Sequence, residues 1–202
     1  IMILITIGIG LSMLNIENAQ LITGPVAYLL ILLGCIQMKQ EGQFFKKTIP
    51  YAAVMLGLQL LVVVLSVISV AAALSINLGS ITDASSLSML NGRQQIIIIV
   101  IALIYAVAVM VLDLMITYRL TKGVQELQIN TGADLKGDLL LKLWKAFSIM
   151  IVVSIVFIII AAMYRGLILA AFIALAAAIV KIVYFGYFIR ACVYYQKNRS
   201  IA

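Results

Sequence analysis

Histidine is absent from this 202-residue chain, and charged side chains make up only 10% of it. Without histidine there is no imidazole base, no histidine metal ligand and no Ser-His-Asp triad, and the two cysteines are too few for a structural zinc site. Water-soluble domains carry about 25% charged residues. The composition therefore excludes an ordinary soluble domain, and we predict no catalytic residue, no metal and no cofactor.

The chain is instead 65% hydrophobic, with a mean hydropathy of +1.23. Apolar runs of about 18 residues or more are long enough, as helices, to cross a hydrocarbon core of about 30 Å. A helix also satisfies its own backbone hydrogen bonds in lipid. We therefore predict an all-α membrane protein whose single transmembrane helical domain covers residues 1–202.

The apolar runs predict a bundle of six transmembrane helices. The first run covers only about 21 Å as a helix, so it is either a short span or a truncated one. Proline lies near the start of the second and third runs, where its missing N–H is harmless. The six predicted spans are Ile1–Leu14, Leu21–Met38, Pro50–Ala73, Ile96–Leu120, Trp144–Met163 and Leu167–Ile189.

The basic residues are distributed unequally between alternate connections. Eleven of the fourteen fall on one predicted side, two on the other, and Lys181 falls within a span. By the positive-inside rule the basic side is cytoplasmic, so both termini are predicted inside the cell. The net charge of +7 then reflects topology and contact with anionic lipid headgroups, and nucleic acid is not an expected partner.

The long connection between the fourth and fifth spans predicts a cytoplasmic helix hairpin. Helical spacing continues through Tyr118–Leu127, a turn follows at Asn130–Asp134, and helical spacing resumes over Leu135–Phe147. An apolar stripe flanked by lysines runs along the second helix. This stripe is expected either to lie on the membrane surface or to dock a partner protein; its members are Leu139, Leu140, Leu143 and Phe147.

The longest predicted outer connection, Leu74–Gln95, is rich in serine. A capping residue at Thr82 or Asp83 and a glycine at Gly92 suit a short interfacial helix. We expect a covering loop here, with a lid over an outward-facing cavity as the alternative.

Two charged side chains lie at hydrocarbon depth, away from the ends of the predicted spans: Asp113 and Lys181. Such groups are costly in hydrocarbon and normally face the bundle interior. Their distances from the cytoplasmic edge are about 9 and 13 Å, so they lie at similar depth. We predict a polar cluster of Asp113, Lys181 and Gln59, with hydroxyls from Tyr105 and Tyr184. The acid and base could form a structural ion pair or a solute or coupling site, or Lys181 could snorkel to the inner surface.

Part of the sequence resembles a known family. The segments are Leu14–Ile16, Ile22–Gly34, Phe44–Lys47, Tyr118–Leu127 and Lys142–Lys145. They resemble an uncharacterised family of multi-pass membrane proteins of low-GC Gram-positive bacteria. The resemblance covers about half the chain and implies a bacterial cell membrane, but it assigns no activity and no site residue.

Two functions fit these patterns. The first is a small transport or solute-binding membrane component, which the predicted interior cluster favours. The alternative is a non-transporting accessory, sensor or scaffold subunit that binds another membrane or cytoplasmic subunit through the hairpin. An intramembrane enzyme is disfavoured, because no paired catalytic carboxylates stand out in the sequence.

Overall fold

A computed structural model describes residues 2–13, 20–77, 92–164 and 167–199, and all elements in these ranges are α-helices. Their bounds are α1 Met2–Met13, α2 Gln20–Met38, α3 Gln43–Asn77, α4 Gly92–Thr131, α5 Gly137–Tyr164 and α6 Leu167–Arg199. The prediction of an all-α chain is confirmed for these residues. Most of the outer connection, over which a loop or a lid is predicted, lies outside them.

Within the described part of the chain, four helices are long and apolar enough to cross a membrane. The qualifying segments are Leu21–Met38, Gln43–Ile68, Leu103–Thr131 and Ala178–Lys197. α1 is apolar but has only 12 residues, which is about 18 Å of helix. The chain is thus compatible with a polytopic membrane protein, while the six-span count and the orientation stay predictions.

The helices pack in chain order around a ring. Each helix contacts the next, and α6 contacts α1 to close the ring. Short connections at residues 39–42 and 132–136 make α2 antiparallel to α3 and α4 antiparallel to α5. A ring of this kind encloses a central space that several helices line.

Glycines let α1 and α2 approach closely. A Cβ at Gly8 would lie 2.7 Å from the Ala27 carbonyl oxygen, and one at Gly34 would collide with Ile5. Small residues permit this approach where helices pack without solvent between them. The α1–α2 pair therefore forms a tight unit at one side of the ring.

The most fully buried side chains gather at one end of the ring. There the α2–α3 connection, the α4–α5 turn and the end of α6 meet. Phe45 is fully buried, and its ring lies against Gly123 of α4, where an added Cβ would be 2.8 Å from Phe45 Cζ. The other buried apolar side chains of this end are Leu120, Val124, Leu127, Leu135, Leu140, Phe188, Cys192 and Tyr195.

Polar contacts reinforce the same end. The Glu126 carboxylate accepts a hydrogen bond from the Phe44 backbone N–H at 3.2 Å, in the first turn of α3. Arg119 donates to the Lys47 carbonyl at 2.7 Å and to the Tyr51 hydroxyl at 3.0 Å. A carboxylate at a helix N-terminus satisfies free N–H groups and interacts favourably with the helix dipole. α4 thereby fixes where α3 begins.

The predicted helix hairpin is present, but part of its apolar stripe is buried in the chain. The end of α4 and the start of α5 flank a turn at residues 132–136, within which the Lys136 ammonium lies 2.8 Å from the Asp134 carboxylate and lowers the pKa of Asp134. Leu140 is fully buried and Phe147 nearly so. The expectation that this stripe meets a membrane surface or a partner is wrong for Leu140 and Phe147, because both are buried within the chain. It stays a prediction for Leu139, which is 36% exposed, and for Leu143, which is half-buried.

Candidate solute cavity

The ring encloses a cavity of about 420 Å³. Five of the six helices line it: the end of α1, the first turns of α2, the middle of α3 and α4, and one residue of α6. The lining residues are Leu11, Ser12, Met13, Thr23, Gly24, Tyr28, Met55, Gln59, Tyr105, Ala106, Val109, Met110, Asp113 and Lys181. Small-molecule pockets measure about 300–1,000 Å³, so this volume suits a small ligand.

Four of the five side chains in the predicted polar cluster line this cavity: Gln59, Tyr105, Asp113 and Lys181. They come from three different helices. The fifth, Tyr184, is not among the lining residues. It is almost fully buried, and its hydroxyl bonds that of Thr121 at 2.9 Å. The structure thus brings four predicted residues together and places Tyr184 apart from them.

Asp113 is held by a residue that the sequence did not suggest. The Tyr28 hydroxyl of α2 donates a hydrogen bond of 2.7 Å to Asp113 Oδ1, across 85 residues of chain. Tyr28 is itself buried. The sequence did place the Tyr28 hydroxyl within a predicted span, one helical turn beyond Gly24. A hydroxyl at that depth can reach a polar group on another helix. This bond fixes the carboxylate at the cavity wall.

Lys181 does not pair with Asp113. No nitrogen–oxygen distance within 4.0 Å joins them in the described part of the chain. The Lys181 ammonium lies instead 5.8 Å from the centroid of the Phe147 ring, in a cation–π arrangement with α5. The interpretation of these two residues as a direct structural ion pair is therefore wrong for this structure, although both face the same cavity.

A layer of hydroxyl groups and apolar side chains closes the space beyond Asp113. Thr117 lies one turn further along α4, where its hydroxyl accepts a hydrogen bond from Trp144 Nε1 at 3.1 Å. Thr121, a further turn along, bonds Tyr184. Ile116 and Leu120 beside them are fully buried. We call these residues the floor; its members are Ile116, Thr117, Leu120, Thr121, Trp144 and Tyr184.

The opposite side of the cavity is bordered by the end of α1 and the start of α2, at Leu11–Met13 and Thr23–Gly24. A Cβ at Gly24 would be 2.8 Å from Gln59 Oε1, so α2 begins near the level of Gln59. α3 continues from Gln59 to Asn77, about 27 Å further. Over the described residues, the α1–α2 pair is thus shorter on this side than α3, and the wall of the cavity is stepped.

The described residues include no group of three or more His, Cys, Asp or Glu side chains that could hold a metal ion. Comparison of the chain with protein-family models, with curated proteins and with solved structures found no match. The functional interpretation therefore depends on the geometry of the cavity.

Proposed function

We propose that this protein is a small transport or solute-binding component of a cell membrane, that it crosses the membrane with both termini inside the cell, and that it takes a solute into the cavity. One observation carries this proposal: an acid and a base at span depth face a common cavity without bonding to each other. Ionisable groups in membrane interiors usually mark pathways or binding sites. The floor and the stepped wall support access from the predicted outer side.

The alternative function, an accessory or scaffold subunit, depends on a surface that binds a partner. In the sequence, the projecting hairpin with its apolar stripe and the small extramembrane content support this alternative. Leu140 and Phe147 of that stripe are buried in this chain. The geometry therefore favours solute binding over docking through the hairpin.

Water access to the cavity tests the proposal. Ala106 lines the cavity, whereas Ile104, two residues away, is 64% exposed on the outside of the bundle. In a background with Cys35 and Cys192 replaced by alanine, Ala106→Cys is expected to react with a membrane-impermeant thiol reagent added outside sealed vesicles. Ile104→Cys is the matched control and should stay unreacted, because lipid suppresses the reactive thiolate.

A second measurement completes this test. Purified Ala106→Cys protein should react with the same reagent in detergent, which shows that the thiol is present and competent. Equal reaction of the Ala106 and Ile104 variants in sealed vesicles, or no reaction of either, contradicts an aqueous cavity and the proposed function with it.

A further inference from the structure

The cavity presents opposite charges at separate points. Asp113 Oδ1 accepts the Tyr28 hydroxyl at 2.7 Å, and the Lys181 ammonium lies over Phe147 at 5.8 Å from the ring centroid. Neither contact neutralises a charge, because a phenol and an aromatic ring are uncharged. Asp113 and Lys181, which carry one negative and one positive group, therefore line the same cavity with no opposite charge bonded to either among the described residues.

Both charged groups keep capacity for a ligand. Every buried side-chain nitrogen or oxygen in the described part of the chain has a hydrogen-bond partner. Asp113 Oδ2 and the Lys181 ammonium have no hydrogen bond to described residues, so both atoms must be accessible rather than buried. The cavity that these residues line is the space into which they can bond.

Charge balance selects the ligand. A cation would neutralise Asp113 and leave the Lys181 charge uncompensated, whereas an anion would neutralise Lys181 and leave the Asp113 charge uncompensated. A neutral solute would leave both charges uncompensated. Charges without partners are costly in a medium of low dielectric. A ligand with one ammonium and one carboxylate group can give each protein charge a charge-assisted hydrogen bond.

The remaining lining restricts the ligand's size and side chain. Met55, Val109 and Met110 supply apolar surface, and Gln59 and Tyr105 supply neutral polar groups. No further charged side chain lines the cavity among the described residues. This combination suits a compact molecule with a short apolar group.

We propose that the cavity binds a small amino-acid-type zwitterion, with its ammonium at Asp113, its carboxylate at Lys181 and a short apolar side chain against the methionines. This assignment rests on the proposed solute-binding function and names the class of solute. Tyr28 is the positioning residue for the Asp113 carboxylate.

The first arm of the test compares ligands that differ by one charge. The probes are L-leucine, L-alanine, isoamylamine, which is leucine without the carboxylate, and isocaproate, which is leucine without the amine. Purified full-length protein is heated with a thiol-reactive fluorophore, which reports unfolding through the buried Cys35 and Cys192. We expect at least one amino acid to raise the unfolding midpoint, and both singly charged analogues to raise it less.

The second arm of the test removes one protein charge at a time and asks which singly charged ligand each variant prefers. Asp113→Asn leaves a cationic cavity and should favour isocaproate over isoamylamine, whereas Lys181→Gln should favour isoamylamine. Each variant should bind the amino acid about tenfold more weakly or worse, since one charge-assisted bond is lost. Asp138→Asn and Lys145→Gln are matched controls outside the cavity, and both should keep the wild-type order of ligands. A purely structural role for Asp113 and Lys181 would not reverse a ligand preference.

The outcomes separate the two proposals. If neither amino acid stabilises the wild type, or if a neutral solute such as glycerol or ribose does so equally well, the zwitterion assignment is overturned. The solute-binding function is then tested separately, by whether Ala106→Cys reacts with the impermeant thiol reagent. If the charge variants do not fold, the wild-type comparison of the four probes decides the assignment by itself.

Discussion

The hydrogen bond between Tyr28 and Asp113 is the contact that most directly shapes the cavity. It joins α2 to α4 and holds a carboxylate at the wall. Hydrogen bonds to charged groups contribute about 1.5–3 kcal/mol. Asp113 is thus both a candidate ligand-binding group and a packing contact, and its replacement alone cannot separate the two roles.

Tyr28→Phe separates them, because it removes the hydroxyl and keeps the ring. We expect the variant to lose about 1–3 kcal/mol of unfolding free energy. The measurement is the thermal midpoint of the purified protein. Tyr118→Phe is the matched control, since Tyr118 is exposed at the bundle surface; equal midpoints for the two variants would contradict a stabilising bond at Tyr28.

Helical spacing and depth were sufficient to find Gln59, Tyr105, Asp113 and Lys181, because a polar side chain in a span turns towards the interior. They did not find Tyr28 or exclude the direct ion pair. Residue spacing gives the level of a side chain along its helix, whereas contact across 85 residues depends on how the helices are rotated and ordered.

At the scale of the helices, the contact between Phe45 and Gly123 sets how closely α3 approaches α4. Gly123→Ala would place a Cβ 2.8 Å from Phe45 Cζ, where the ring is fully buried. We expect a loss of about 1–3 kcal/mol from overpacking. Gly57→Ala is the control, since nothing lies within 4 Å of the added atom; it should be neutral, or stabilising by up to about 1 kcal/mol. Similar losses in both variants would refute the packing explanation.

Side chains of α4 also complete the first turns of two other helices. Glu126 accepts from the Phe44 N–H of α3, and the Gln128 side-chain carbonyl accepts from the Gly137 N–H of α5 at 2.7 Å. Glu126→Ala should speed hydrogen exchange at the start of α3, and Gln128→Ala should speed it at the start of α5. Each substitution should lower the free energy of unfolding by about 1 kcal/mol. Each variant serves as the control for the other. Faster exchange at both sites in both variants would indicate general loosening instead.

The helices themselves follow from the apolar runs, but their ends do not. α3 begins at Gln43, seven residues before the predicted start at Pro50. Glu126 stabilises the first turn of this seven-residue extension from a distant part of the chain, which no local pattern reveals. The hairpin between α4 and α5 was predictable from spacing. The burial of its apolar stripe could not be predicted, because the sequence pattern of such a stripe is the same whether a membrane, a partner or the chain itself covers it.

At the scale of the whole molecule, the ring order determines that α1 and α6 meet and that one cavity lies among five helices. The sequence contains no motif that fixes this order. The predicted orientation is a separate matter, since it follows from the distribution of lysine and arginine alone.

Single cysteines test that orientation. In the cysteine-free background, Gln43→Cys and Asn130→Cys lie at the same end of the ring and should be labelled only from the cytoplasmic side. Ser86→Cys, in the predicted outer connection, should be labelled only from outside. Labelling of Gln43→Cys and Asn130→Cys from opposite sides would contradict both the fold and the six-span topology.

The shortness of the α1–α2 pair has an electrical consequence. In the proposed orientation, water that reached Asp113 would bring the external potential with it, so most of the membrane voltage would fall across the floor from Ile116 to Thr121. Moving one elementary charge through that field changes the free energy by about 2.3 kcal/mol per 100 mV. For a solute with equal and opposite charges, the free energy of crossing the same layer would depend very little on the voltage.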